Sequence, residues 1–389
     1  MSEAEARAAE VGAGVQAALA RADAKGALAL VRDAETRAPG DLQLKLQRAM
    51  VCRAAGDLSG AAEALDEALA IDPYDYVALL SKGAVTERWL GERTAADIYR
   101  NALKVGPPED KLPAPLKAPT ERARTVVARV DEALEEHLRT AAAAVASDCS
   151  DMARRRFEEA IGIFSGRKRV YTQEPLLLHY PRLPAIPFYE RELFPWLPNL
   201  EAATAVIQGE LKGALEAARD EFSPYIAFAK DAPVNQWGEL NHSKRWSSFF
   251  LWKDGARQDG ACKVCPQTAA LLDELPLADQ PGYAPTAMFS ALEAHTRIPP
   301  HTGSTNVRLL CHLPLILPGP AFFRVGAETR AWEIGQGWVF DDTIEHEAWN
   351  DADELRVILI FDLWNPFVEE GEKPLINAIL AARQGFYAS

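Results

Sequence analysis

The sequence predicts a multidomain α + β protein, with stacked helix pairs first and an antiparallel double sheet second. Three observations carry this. Prolines and small residues recur at a spacing of 34 through the first hundred residues, as Pro39, Pro73 and Pro107 and as Ala34, Ala68 and Ala102. Beyond Arg167, short β-branched and aromatic runs alternate with Pro and Gly turns, and no helical crossover lies between them. Strands joined without crossovers pair antiparallel, which gives a sandwich or a double-sheet jelly roll. Finally, 389 residues at 48% hydrophobic and 25% charged are enough for two or three soluble domains, each with its own core.

Charge and composition exclude several classes of function. A net charge of −14 argues against an electrostatic nucleic-acid binder and against an adaptor for anionic membranes. No apolar run approaches the ~18–20 residues of a membrane span. The start, Met1 to Glu10, is acidic and lacks an apolar signal core. Five cysteines, an odd and small number, fit a reducing compartment. The expectation is a cytoplasmic protein with neither a nucleic-acid nor a membrane partner.

The repeat is clearest in its middle copy, Ala49 to Leu58 followed by Ala61 to Pro73, where Gly56 and Asp57 supply the turn between two helices. Ala27-Leu28, Ala61-Ala62 and Ala95-Ala96 share the frame, as do Gly26 and Gly60. This period, with small residues where paired helices touch and a proline closing each copy, resembles the tetratricopeptide repeat. Stacked helix pairs create a concave surface, so a contact with a partner or substrate is expected of them. From Gly106 to Pro119 the chain is rich in proline and lysine, which breaks the repeats. Thr120 to Phe164 then reads as long helices, with Val126, Val130 and Leu134 on one stripe and Phe157, Ile161 and Phe164 on the next. Cys149 reads as a buried thiol. The expected boundaries are TPR-like repeats over 1–110, a helical bridge over 111–170 and the β domain over 171–389.

In the second half, helical spacing covers Leu200 to Phe222, and strands are expected over 246–252, 286–292, 307–316, 321–325, 337–340 and 355–364. A helix is expected over Lys373 to Ala388. The chemistry concentrates between Pro299 and Pro366. His301 follows two prolines at a strand edge, and His346 lies in a turn-like stretch before Trp349. A single loop histidine is ordinarily a solvated residue. Arg356 changes the reading: inside the apolar run Val-Ile-Leu-Ile-Phe a guanidinium needs an anion to pair with, and arginine takes a carboxylate in bidentate fashion. Imidazole is the commonest side-chain ligand of first-row metals. Two histidines and a strand arginine therefore suggest a metal and an organic anion held side by side.

These residues sit in a wider pattern. His301-Thr-Gly303-Ser-Thr-Asn-Val-Arg308, Cys311-His312-Leu, Phe323-Arg324-Val-Gly, Glu328-Thr-Arg330, Trp332, Phe340-Asp-Asp342-Thr-Ile-Glu-His346-Glu-Ala-Trp349 and Leu355-Arg356 to Asp362 run in order. Upstream stand Pro187-Phe188-Tyr189, Phe194-Pro-Trp196 and Gly260-Ala-Cys262-Lys-Val-Cys265-Pro. Residues 180–367 thus resemble the aspartyl/asparaginyl β-hydroxylase family of iron(II)- and 2-oxoglutarate-dependent dioxygenases. The resemblance implies a double-stranded β-helix core, a cupin-like jelly roll, and a reaction that hydroxylates the β-carbon of an Asp or Asn residue using Fe(II), 2-oxoglutarate and O2. By position, His301 and His346 would be the metal ligands. Gly303 stands where the wider superfamily has a carboxylate, so the centre would have two histidines and a water. Asp341 or Asp342 would hydrogen-bond that water, and Asp342 is assigned the catalytic role. Arg356 would take the distal carboxylate of the co-substrate, with Ser290 and His312 as further contacts. Animal members have a second basic residue where this chain has Leu310, and Arg308 is the candidate replacement. Arg324 and Arg330 are candidates for a substrate carboxylate.

The Cys262–Cys265 pair lacks the second pair a zinc site needs, and reads as packing. The expected substrate is a protein or peptide delivered partly by the TPR-like repeats. A small-molecule or lipid-linked substrate is the alternative, and a binding protein that has lost catalysis a further one. Retention of His301, His346 and Arg356 argues against the last.

Overall fold

The computed structural model describes residues 3–143, 145 and 149–388. Two compact units, Met1–Lys168 and Arg169–Ser389, make up the chain. The first is helical: α1 (Glu3–Ala20), α2 (Ala24–Arg37), α3 (Leu42–Ala54), α4 (Leu58–Ile71), α5 (Tyr76–Leu90), α6 (Glu92–Val105), α7 (Ala114–Ala143) and α8 (Asp151–Phe164). The period of 34 has a physical basis in caps and contacts. Asp23 and Asp57 each accept a hydrogen bond from the backbone N–H of a glycine three residues on, Gly26 and Gly60. Asp41 and Asp75, also 34 apart, cap α3 and α5 in the same way. In the third copy Gly91 replaces the capping aspartate, at φ +93. Ala27, Ala61 and Ala95 are all fully buried, as are Ala68 and Ala102, so the helices approach closely where the frame puts a small residue.

Helix α7 starts at Ala114 rather than Thr120. Pro115 lies in its first turn, where the missing N–H had no partner to lose, and Thr120 donates its hydroxyl to Leu116 O at 2.7 Å. Tyr99 and Ala102 of α6 share one apolar cluster with Ala123 and Val126 of α7, so the helices after residue 111 pack into the first unit. Cys149 is exposed, contrary to the buried thiol expected. It lies between helices, outside the stripe that buries Ile161.

The second unit holds β1 (Ser223–Pro224), β2 (Trp246–Lys253), β3 (Ala256–Arg257), β4 (Ala287–Leu292), β5 (Thr296–His301), β6 (Arg308–Ile316), β7 (Ala321–Val325), β8 (Glu328–Ala331), β9 (Trp338–Phe340), β10 (His346–Asn350) and β11 (Arg356–Trp364). A seven-stranded sheet runs β1-β2-β4-β11-β6-β9, with β3 on β2, and a four-stranded sheet runs β5-β10-β7-β8. Every pairing in these sheets is antiparallel. The central strand β11 is buried along its whole length, which is why it reads as a continuous apolar run. Val357, Leu359, Phe361 and Leu363 join the cluster that holds Ile207 and Leu211 of the helix Thr204–Ala217. Ile358 and Ile360 face the other way, toward Phe323 and Phe340. The second unit is thus a cupin-like double-sheet jelly roll, and the first a helical-repeat unit. Among the described residues, no helix is long and apolar enough to cross a membrane.

Sequence patterning missed β5, β8 and β10. β5 carries Pro299 and Pro300, tolerated because it is the edge of its sheet. β10 reads His-Glu-Ala-Trp-Asn and looked like a turn, since its buried glutamate is matched by arginines rather than by apolar neighbours.

Candidate functional site

The pairing of β5 with β10 sets His346 directly opposite His301, and their rings come to 4.1 Å between centroids. Each Nδ1 faces a carbonyl that can only accept: Pro299 O at 2.8 Å for His301 and Ile344 O at 3.1 Å for His346. Both Nδ1 atoms therefore carry the hydrogen and both Nε2 atoms keep a free lone pair. Burial lowers the pKa of His301 and holds His346 well below the usual imidazole range, where His301 adds to the effect. Two neutral imidazoles so arranged are a donor pair for a first-row metal.

The rings line a cavity of about 210 Å³ between the sheets. On its wall a Cβ added at Gly303 would collide with the Asp342 carboxylate; Asp342 fills the space a side chain at 303 would take. Burial, with Asp341 next to it, pushes Asp342 up to about 8. The two aspartates separate clearly. Asp341 accepts from Thr343 N, Thr343 Oγ1 and Gln173 Nε2 and is spent on the loop, whereas Asp342 lines the cavity. Among the described residues no cluster of three or more His, Cys, Asp or Glu could hold a metal, so a bound ion would rest on the two histidines. The residues fit such an ion: two lone pairs are free, and an acid stands beside them.

Arg356 lines the same cavity. It is 0% exposed, and none of its guanidinium nitrogens has a hydrogen-bond partner. Its Cζ lies 4.4 Å from the centroid of the Trp332 ring, and burial pushes its pKa down to about 9. His312, also on the cavity wall, has an unpartnered Nδ1 and is kept neutral by burial and by Arg356. Ser290 lines the same cavity, and its Oγ accepts from Trp246 Nε1 at 3.1 Å, which leaves the hydroxyl hydrogen free to donate. An isolated buried guanidinium is costly. The site is built for an anion.

Four sequence expectations need correction or completion. Arg308 does not line the cavity: it pairs with Asp362 at 2.9 Å and donates to Tyr283 O at 3.0 Å, so it is not a free replacement for a basic residue at 310. Leu310 itself lines the wall. Arg324 is engaged by Glu345, Glu347 and Gly326 O, and Arg330 lies 3.9 Å over the Phe188 ring while paired with Glu328, so neither is free for a substrate. Cys262 donates to Leu251 O and Cys265 to Glu210 O, and burial pushes both thiols up; they are packed, protonated and unreactive. Sequence reasoning missed the aromatic rim. Tyr225, Trp237 and Trp246 line the cavity, with Trp237 edge-on to His301 at 5.0 Å. Tryptophan content was the only signal available, and it does not say which rings converge.

A pH prediction follows for the metal-free protein. Asp342 titrates near 8 when folded and near 3.9 when unfolded. Between those values the folded state holds the extra proton, so stability falls as pH rises through the window. Asp342→Asn removes this penalty. Its stability advantage over wild type in urea unfolding grows from pH 5 to pH 8 and levels off above pH 9, reaching on the order of a few kcal/mol. A pH-independent difference would contradict the burial of that carboxyl.

Fold and site define the class: a helical-repeat protein with a cupin-like domain whose pocket joins a histidine pair to a buried anion receptor. Within this domain, residues 202–366 match the family model described as aspartyl/asparaginyl beta-hydroxylase. Human aspartyl/asparaginyl beta-hydroxylase is 34% identical over 187 residues, which is 48% of this chain and 24% of that protein. The ornithine lipid ester-linked acyl 2-hydroxylase of Rhizobium tropici is 34% identical over 196 residues, 50% of this chain and 66% of that protein. The chain thus spans about a quarter of the human relative's length and just under two thirds of the bacterial one. Among solved structures, the Sgt2 TPR domain from Aspergillus fumigatus aligns with a TM-score of 0.28 at 22% identity, covering 32% of this chain and 80% of that one.

Proposed function

We propose that this protein is a cytoplasmic Fe(II)- and 2-oxoglutarate-dependent hydroxylase acting on the β-carbon of an Asp or Asn residue in a protein or peptide. One observation carries the reading: Arg356, fully buried and unpartnered, lines the same small cavity as two neutral histidines. His301 and His346 would hold the metal through Nε2. When bound, iron with 2-oxoglutarate and O2 supplies the oxidising chemistry that replaces a C–H bond by C–OH. The chain's own residues do the rest. Arg356 receives the distal carboxylate through its N–H fork, and Ser290 donates its hydroxyl hydrogen, with the oxygen fixed by Trp246. Neutral His312 adds a contact without adding charge. Asp342 orients water beside the histidines, and Trp237 covers His301 from solvent. The helical repeats would contact the polypeptide substrate.

A second reading has a specific basis. The Rhizobium relative, by its name, acts on an ornithine lipid, and the apolar rim of Tyr225, Ile226 and Trp237 suits an acyl chain as well as a peptide. The test is direct. Purified protein with iron(II), ascorbate and 2-oxoglutarate should form succinate slowly alone and faster with a peptide library containing Asp and Asn, with a mass gain of one oxygen on the peptide. Stimulation by acyl lipids and not by peptides would favour the second reading; no succinate under any condition would overturn both.

A further inference from the structure

We propose that the indole N–H of Trp332 is a donor to the carboxylate that Arg356 receives, supplying the contact that Leu310 does not. The inference rests on the reading above, in which the cavity takes 2-oxoglutarate. Trp332 is only 6% exposed, yet its Nε1 is buried without a hydrogen-bond partner. Trp246 and Trp364, similarly buried, have their indole N–H groups placed on Ser290 and Asp279. A buried donor left unsatisfied costs about 1–3 kcal/mol, and tryptophan N–H groups ordinarily find a partner when buried.

The orphan does not stand alone. Among the residues lining the cavity, the buried polar atoms without partners are Arg356 Nε, Nη1 and Nη2, His312 Nδ1 and Trp332 Nε1. Four of these five can only donate, and an ionised carboxylate is an acceptor-only group with about four lone-pair sites. The cluster is the complement of that ligand. Its parts come from both sheets: Arg356 and His312 from β11 and β6, Trp332 from the residue after β8. The Arg356 Cζ lies 4.4 Å from the centroid of the Trp332 ring, which puts the indole beside any ligand the guanidinium holds. A rigid aromatic donor also holds the arginine in one plane, as bidentate recognition requires. Where a second cation would only add charge, the indole adds direction.

Trp332→Phe keeps a ring on Arg356 and deletes the N–H. Calorimetric titration of the protein with Zn(II) in place of iron compares 2-oxoglutarate with 2-oxovalerate, which has the same length and no distal carboxylate. The variant should bind 2-oxoglutarate about tenfold or more weakly and 2-oxovalerate as wild type does. Trp338→Phe is the packing control, because Trp338 stacks on Trp332 at 6.0 Å but does not line the cavity; it should leave both affinities unchanged. In wild-type protein the Trp332 indole N–H resonance should move on saturation with 2-oxoglutarate, a readout that needs no variant to fold. Unchanged 2-oxoglutarate affinity in W332F, an equal loss in W338F, or an unmoved indole signal would overturn the assignment alone. A wild-type protein that binds no 2-oxoglutarate would sink the reading of the cavity, and this assignment with it.

Discussion

Replacing Arg356 by methionine should make the metal-free protein more stable while destroying its affinity for 2-oxoglutarate. The arginine is fully enclosed, its nitrogens are unpartnered, and burial already disfavours its charged form. Taking an ion out of water costs several kcal/mol, and exchanging buried charge for an apolar side chain of similar volume often stabilises by about 1–4 kcal/mol. In a unit of this size each kcal/mol shifts the melting temperature by roughly 2–4 °C, so Arg356→Met should raise it measurably. The binding consequence runs the other way. Losing a desolvated, charge-assisted contact costs about 2–5 kcal/mol, so the co-substrate dissociation constant should rise by about 100-fold or more. A variant that melts lower and binds normally would show that Arg356 is a packing residue and that the anion sits elsewhere. Opposite signs in the two measurements are what a functional residue held at a stability cost predicts.

Arg356 was legible in the sequence for the same reason that it is unstable: a charge inside an unbroken apolar run has no structural excuse. The 34-residue frame was legible because caps and small contacts must recur wherever helix pairs stack, as Asp23, Asp57 and the buried Ala27, Ala61 and Ala95 show. What stayed hidden depended on side chains meeting across the sheets. Arg308 lies on a strand face compatible with a ligand role, but its partner Asp362 is 54 positions away, and no local pattern reveals that pair. Arg324 looked free for the same reason. Strand β10 was missed because its inward and outward residues are polar on both faces: His346 for the pocket, Glu347 for Arg324 and Arg297. That Asp341 is spent on Thr343 and Gln173 while Asp342 lines the cavity is visible only in the fold, because both lie at a turn whose sequence does not say which carboxyl faces in.

His301→Ala and His346→Ala should each abolish divalent-metal binding and turnover, with the double variant no worse than either single one. A site resting on two imidazoles has no spare donor: among the described residues no third His, Cys, Asp or Glu joins them in a cluster. Loss of one ring should therefore remove binding in a Co(II) titration read by absorption, not merely weaken it. Effects on the fold should be small by comparison, because the rings are held by hydrogen bonds to nearby main-chain carbonyls rather than by other side chains. Gly303→Asp sharpens the test. If the centre simply lacked a third ligand, a carboxylate at 303 would strengthen metal binding. The structure predicts the reverse, because the Asp342 carboxyl already fills the space a side chain at 303 would enter, and a second buried carboxyl there would clash with it. Gly303→Asp should thus lose both stability and metal affinity, and pairing it with Asp342→Gly should recover part of each. Tighter metal binding by Gly303→Asp alone would mean that Asp342 is displaced easily, and that glycine at 303 is not required by the space around it.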